Sequence, residues 1–161
     1  VELQATLLAK VASYDRNMSA RAGDRARVLL LFNDSDAESL RFATRMQLAL
    51  QALSQVGGLP HEERLHAFNG STELQHLCQR DRIAIIIVAP GLGEHVGAIR
   101  DALDGINVLS VAATPAYVPE GVVLGFDLVS SKPKLLVHLT RARRQGVDLP
   151  AEVLKLMRVY E

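Results

Sequence analysis

The sequence contains no tryptophan, a single cysteine (Cys78) and only 4% aromatic residues. One cysteine excludes an intrachain disulfide, and so few aromatic side chains argue against a platform that stacks bases or sugars. No apolar run approaches the ~20 residues that a membrane span needs. The 18 basic and 18 acidic residues give a formal net charge of zero, which argues against a nucleic-acid-binding protein.

The 161 residues match the usual size of one domain, and neither a repeat nor a linker divides them. The segments Arg27–Asn33 and Ile83–Ala89 are almost continuously apolar, which is typical of strands buried on both faces of a parallel sheet. Helical and strand patterns alternate through most of the chain. We therefore predict one domain over residues 1–161. Its expected fold is α/β and Rossmann-like, with three layers, a mostly parallel central sheet, helices on both faces and a C-terminal antiparallel β-hairpin.

Apolar residues at helical spacing predict a first helix whose face runs from Leu3 to Met18. Ser35 and Glu38 have the spacing of a capping box, which predicts a helix that begins at Ser35. A second capping-box pattern predicts a short helix that begins at Thr72.

The C-terminal part of the chain predicts a hairpin followed by helices. The segments Val122–Val129 and Lys134–Leu139 have the pattern of two antiparallel strands around a short turn. We expect this hairpin at the margin of the sheet, where unpaired backbone groups accept a further strand. A short helix over Arg141–Gln145 and a last helical stretch that includes Val153 and Met157 are expected to follow.

Polar and glycine residues follow the predicted strands, where open α/β sheets bind ligands. Six of them are candidates for binding a small molecule: Asn33, Asp34, Ser35, Gly91, Gly93 and Thr114. The glycines after the third strand do not have the spacing of a dinucleotide-binding loop. These residues also have structural explanations that need no ligand. Ser35 can cap a helix, and Gly91 can form a tight strand-to-helix turn.

The sequence predicts no catalytic residue, no metal site and no cofactor. A receiver domain would need an aspartate at the end of the third strand, where Ala89 and Pro90 stand instead. Cys78 has no glycine elbow beside it, and we expect it to be mostly buried. The five histidines show no metal-ligand spacing.

The segment Val137–Val159 resembles the closing signature of the YfiR/HmsC family, a group of periplasmic domains. In that family a hairpin strand is followed by a short helix rich in Ala and Arg, a Gly-Leu step and a final leucine-rich segment. The matching residues are Leu139, Ala142, Arg143, Arg144, Gly146, Leu154 and Leu156. His138 stands where the family usually has asparagine, and Met157 where it usually has alanine.

The resemblance implies a non-enzymatic periplasmic regulator that binds a protein partner, in the best-known case a membrane-bound diguanylate cyclase. Arg141, Arg143 and Arg144 are the candidate partner-binding residues, and a homo-oligomer such as a dimer is a further possibility. A small-molecule binding module and, less favoured, a small enzyme are the alternative functions. Because the resemblance implies a periplasmic protein and the sequence begins at Val1 instead of Met, we expect an export signal to precede it in the precursor.

Overall fold

Seven strands form one sheet in the computed structural model, which describes residues 1–161. Their order across the sheet is β2-β1-β3-β4-β5-β6-β7, and only β5 and β6 are antiparallel neighbours. The strands are β1 (Ala26–Phe32), β2 (His61–Ala67), β3 (Ile85–Val88), β4 (Leu109–Ala112), β5 (Leu124–Val129), β6 (Lys132–His138) and β7 (Met157–Tyr160). The predicted mostly parallel sheet with a C-terminal hairpin is confirmed.

Seven helices surround the sheet: α1 (Glu2–Ala12), α2 (Met18–Ala22), α3 (Ala37–Gln51), α4 (Ser71–Arg80), α5 (Val96–Leu103), α6 (Leu139–Arg144) and α7 (Ala151–Leu154). Short 3-10 turns occur at Gly93–His95 and Pro115–Tyr117. None of the helices combines the length and the apolar character that crossing a bilayer requires.

The central strands divide the core into two layers because successive side chains of a strand point to opposite faces. Val28 and Leu30 of β1 pack with α1 and α3 on one side, whereas Leu29 and Leu31 pack with α4 and α5 on the other. Both faces of β1 and β3 are therefore buried. This arrangement explains their continuous apolar sequences and confirms the three-layer prediction.

Both predicted capping boxes are wrong. Helix α3 is capped by Asp36, whose Oδ1 accepts the backbone N–H of Glu38 at 3.0 Å, so Ser35 lies outside the helix. Helix α4 follows Gly70, which has no side chain to cap it, and Thr72 lies within the helix. The N-cap of α3 therefore lies one residue later than expected, and that of α4 lies two residues earlier.

The prediction of one long N-terminal helix is also wrong, because the chain turns between α1 and α2. The turn buries Asp15 against Arg21, with 0% and 1% of their side chains exposed and Oδ2 2.8 Å from Nη1. Arg21 also donates to Asn107 Oδ1 at 2.8 Å and to the carbonyl of Gly146 at 3.0 Å. The other carboxylate oxygen of Asp15 accepts the backbone N–H of Asp148 at 3.0 Å. This network, which we call the terminal staple, joins the first two helices to the C-terminal segment.

The hairpin does not lie at the margin of the sheet, because β7 pairs in parallel with β6 and forms that edge instead. Met157, which we assigned to a helix, is the buried first residue of β7. Met157 follows Val153 and Leu154 by four and three residues, which is the spacing of a helix face. The alternation of side chains from Met157 to Tyr160 covers only four residues and is too short to predict a strand.

The β5–β6 hairpin projects beyond the carboxyl edge of the parallel strands. β5 pairs with β4 only at Leu124 and Gly125, so the four residues from Phe126 to Val129 continue past the end of β4. At the usual rise per residue this extension is about 13 Å long. Ser130 and Ser131 have φ values of 52° and 64°, which is the left-handed geometry of a two-residue hairpin turn.

Candidate functional site

The loops that follow β1 and β3 meet at the carboxyl edge of the sheet. The chain passes from β1 to one side of the sheet and from β3 to the other, which makes this the position where open α/β sheets bind ligands. Asn33 Nδ2 donates to the carbonyl of Gly91 at 2.9 Å. Two of the six predicted ligand-binding residues therefore lie in contact.

The polar groups of these loops are engaged with each other. Asn33 Oδ1 accepts the backbone N–H of Ser35 at 2.9 Å, and the backbone N–H of Asn33 donates to Ser39 Oγ at 2.8 Å. Gly91 has a φ of +89°, and a Cβ at this position would lie 2.4 Å from Asp36 Oδ2. The glycine thus serves the tight contact between the two loops, while Asp34 and Ser35 are exposed beside it.

Gly93 and Thr114 lie farther along the same edge. The hydroxyl of Tyr117 accepts the backbone N–H of Leu92 at 3.1 Å, which links the loop after β3 to the turn after β4. Gly93 is exposed next to this link. Thr114 lies between Ala113 and Pro115, which both line a separate cavity, so the six predicted residues are divided between two places.

That cavity is a mostly apolar groove of about 370 Å³ between the start of α1, the loop after β4 and the projecting hairpin. Its apolar walls include Leu3 and Leu7 of α1, Phe126 and Leu128 of β5, and Pro133 of β6. Gln4, Ala113 and Asp127 supply the polar groups, and Gln4 Nε2 lies 3.4 Å from the carbonyl of Ala113. Sequence analysis missed this groove because it depends on how far the hairpin extends past β4.

A larger cleft of about 680 Å³ lies at the opposite, amino end of the strands, and its lining is mostly charged. Arg64 and Arg80 both donate to Asp81 at 2.9 Å, and these hydrogen bonds lower the pKa of Asp81 to about 2. Arg27 pairs with Glu62 at 3.2 Å. Since most of its charges are paired, this cleft is a weaker candidate for binding a charged ligand despite its size.

The candidate partner-binding arginines differ in how free they are. Arg141 and Arg144 both donate to Asp104, which follows α5, at 3.1 Å. Arg143 is exposed and forms no ion pair. The sequence could not indicate this difference, because Asp104 is 37 residues from Arg141 along the chain.

A sequence model of the YfiR/HmsC-like family matches residues 2–158. The chain belongs to the YfiR/HmsC-like family. A search of curated protein sequences finds no match.

Solved structures similar to this YfiR/HmsC-like domain are α/β proteins of low sequence identity. A conserved domain protein from Vibrio cholerae has a TM-score of 0.67 at 12% identity over 99% of this chain. The ABC domain from Streptococcus pneumoniae in complex with L-Trp has a TM-score of 0.63 at 12% identity over 94%. A ligand-free, open substrate binding protein with adhesive properties from Clostridium difficile has a TM-score of 0.60 at 11% identity over 90%. The chain spans about 60% of the length of these proteins, and at such identities the likeness shows the fold.

His138 and Gly146, two residues of the segment that resembles the family signature, stabilise local structure. His138 Nδ1 accepts the backbone N–H of Arg141 at 3.3 Å and so caps α6, as the more usual asparagine would. Burial and the nearby Arg141 lower the pKa of His138. Gly146 has a φ of +67°, and a Cβ there would lie 2.7 Å from Asn107 Oδ1, within the terminal staple.

The thiol of Cys78 and the ring of His61 are other candidates for chemistry in this YfiR/HmsC-like domain, and they are buried or paired. Cys78 is buried as predicted, and burial raises the pKa of its thiol to about 12. His61 is hydrogen-bonded to Glu63 and to the carbonyl of Leu53, and burial raises the pKa of Glu63. His61 and Glu63 are two residues apart in β2, so their side chains lie on the same face of the strand. This spacing could have indicated the pair from the sequence. The chain brings no three His, Cys, Asp or Glu residues together in a geometry that could bind a metal ion.

Proposed function

We propose that this chain is a non-enzymatic periplasmic regulatory domain that binds a protein partner, a membrane-bound signalling protein such as a diguanylate cyclase. Membership of the YfiR/HmsC-like family supports this proposal. The site geometry agrees with it, because the polar loops at the carboxyl edge bind each other and the only thiol is buried.

The observation that carries the proposal is the open edge of β7, which has a paired strand on one side only. Val159 is exposed on this edge, and the register of Tyr160 with His138 brings the end of β7 next to α6. Arg143 of α6 is exposed and unpaired nearby. A partner strand can therefore add to the sheet at β7 while an acidic residue of that partner meets Arg143.

The test compares cells that lack the gene with cells that carry it in wild-type or variant form. If the partner is a diguanylate cyclase held inactive, the deletion raises cellular cyclic di-GMP and the wild-type gene lowers it again. Arg143→Glu should fail to lower it because the charge at the edge is reversed. Lys10→Glu reverses another exposed, unpaired charge on α1 and should behave as wild type. Full restoration by Arg143→Glu, at normal protein level, would contradict the role of Arg143.

A second copy of the chain is another occupant of the same edge, since β7 of two copies can pair into a continuous sheet and form a homo-oligomer. Light scattering after gel filtration gives the mass directly. A dimer that Val159→Lys converts to a monomer would assign the edge to self-association, whereas a monomeric wild-type protein leaves it free for a different partner.

The groove of about 370 Å³ favours a second candidate function, the binding of a small molecule with a mainly apolar body. Its volume is within the range of ligand pockets, and a few polar groups line it in the way that fixes a ligand's orientation. Thr114 lies beside it, whereas Asn33, Asp34, Ser35, Gly91 and Gly93 lie along the edge beyond. A thermal-shift screen tests this function: a ligand that stabilises the wild type but not Leu3→Arg would locate binding in the groove. Stabilisation that persists in Leu3→Arg would place the ligand elsewhere.

A further inference from the structure

Three of the four lysines of the chain, Lys132, Lys134 and Lys155, lie around the projecting end of the β5–β6 hairpin. The strand register brings them together, because Lys134 Nζ donates at 3.3 Å to the carbonyl of Leu156, the residue after Lys155. None of the three ammonium groups has a carboxylate within 4.0 Å. Asp127, the acidic residue of the hairpin, is opposite Lys134 in the strand register and lies 3.8 Å from Arg158. Unpaired positive charge therefore accumulates at this end of a chain whose net charge is zero.

The same end of the molecule exposes apolar side chains. Leu128 is 69% exposed, Val129 is 43% exposed and Leu156 is 70% exposed. Single exposed leucines are ordinary on protein surfaces, but here three apolar residues lie among three lysines. We call these six residues the lysine tip: Leu128, Val129, Lys132, Lys134, Lys155 and Leu156.

We infer that the lysine tip docks the domain on the surface of an anionic lipid bilayer. Leu128, Val129 and Leu156 enter the boundary between headgroups and acyl chains, and the lysines contact lipid phosphates. This combination of apolar side chains and basic charge is what binds proteins to the surface of anionic membranes. The inference goes beyond the proposed function and does not depend on it.

The shape of the tip favours a bilayer over an acidic protein. Leu128 and Val129 lie on the part of the hairpin that extends about 13 Å past β4, where a flat and deformable surface can receive them. A protein partner would need a matching concave surface. The charges on the tip are lysines, and their flexible stems let the ammonium groups reach phosphates while the apolar residues insert. The arginines of the chain, in contrast, are mostly engaged with its own carboxylates.

Co-sedimentation with lipid vesicles tests the inference. The wild-type chain should bind vesicles of phosphatidylcholine and phosphatidylglycerol and should not bind vesicles of phosphatidylcholine alone. Each lysine near an anionic surface contributes about a fivefold change in partitioning, so the triple variant K132Q/K134Q/K155Q should bind about a hundredfold more weakly. The double variant L128S/V129S should bind at least about tenfold more weakly because it loses the inserted apolar groups.

Lys10→Gln is the matched control, because Lys10 is the one lysine outside the tip and its replacement should leave vesicle binding unchanged. Far-UV circular dichroism of each variant confirms that the fold is intact. The inference is wrong if the wild type ignores anionic vesicles or if the triple variant binds them as well as the wild type. Retention on immobilised polyglutamate without vesicle binding would also overturn it and assign the tip to an acidic polypeptide.

Discussion

Replacing Arg21 with methionine should strongly destabilise the domain, because it leaves the carboxylate of Asp15 buried without its cation. The substitution removes hydrogen bonds of 2.8 Å to Asp15, 2.8 Å to Asn107 and 3.0 Å to the carbonyl of Gly146. Breaking a buried ion pair by removing one partner typically costs about 3–5 kcal/mol. That is a large part of the about 5–15 kcal/mol that stabilises an ordinary domain.

Urea denaturation followed by far-UV circular dichroism measures this loss as a lower free energy of unfolding. The loss should lower the melting temperature by roughly 10 °C in a domain of this size. Arg16→Met is the matched control, because Arg16 pairs with Asp148 at 3.2 Å on the surface with 60% of its side chain exposed. An exposed pair of this kind contributes at most about 1 kcal/mol.

A double-mutant cycle separates the ion pair from the general effect of each substitution. Combining Asp15→Leu with Arg21→Met removes both charges, so the double variant should be more stable than the sum of the two single losses predicts. A loss below about 1 kcal/mol for Arg21→Met, or strict additivity in the double variant, would refute the reasoning.

Three further predictions concern single residues. Cys78 should resist alkylation at pH 8 in the native state and react after unfolding, because burial raises its pKa to about 12; rapid native labelling would contradict this. Because the pKa of His138 is lowered from 6.5 in the folded state, the unfolded chain binds the proton first. Stability should therefore fall as the pH drops below about 6.5, and denaturation curves of His138→Asn, which keeps a cap acceptor, should lose this part of the pH dependence. Gly91→Ala should lower the free energy of unfolding by roughly 1–3 kcal/mol, because Gly91 has a positive φ and a Cβ there would contact Asp36. Gly58→Ala should lower it less, because Gly58 has a φ of +78° but open space around it. Equal losses would show that the contact with Asp36 is unimportant.

The parts of the fold that could be predicted from sequence are those that a local pattern determines. The apolar runs of β1 and β3 require burial on both faces, and a parallel sheet provides it. The contact between Asn33 and Gly91 follows from the order of elements, because residues after neighbouring parallel strands meet at one edge. The family resemblance, which we based on the segment Val137–Val159, extends over residues 2–158.

The features that sequence analysis missed depend on residues far apart in the chain. The residues next to Asp15 and Arg21 in the sequence do not indicate that these two side chains are buried. Their burial depends on Gly146 and Asp148, which approach from the C-terminal part of the chain. The groove depends on a register that pairs only two residues of β5 with β4. β7 was missed because it follows the short helix α7, and its first residue, Met157, lies at helical spacing from the apolar residues of that helix.

The terminal staple has a consequence for the order of events during folding. Its hydrogen bonds to the C-terminal segment join residues 125 to 133 positions apart, so the N-terminal helices acquire these polar partners only when the segment around Gly146 and Asp148 has arrived. β7, which completes the sheet, lies still later in the chain. Until that segment is available, the charges of Asp15 and Arg21 keep their hydration and oppose closure of the layer formed by α1 and α2. A chain that emerges from its N-terminus would thus remain open until the segment around Gly146 and Asp148 has emerged, and its folding rate should be set by long-range closure.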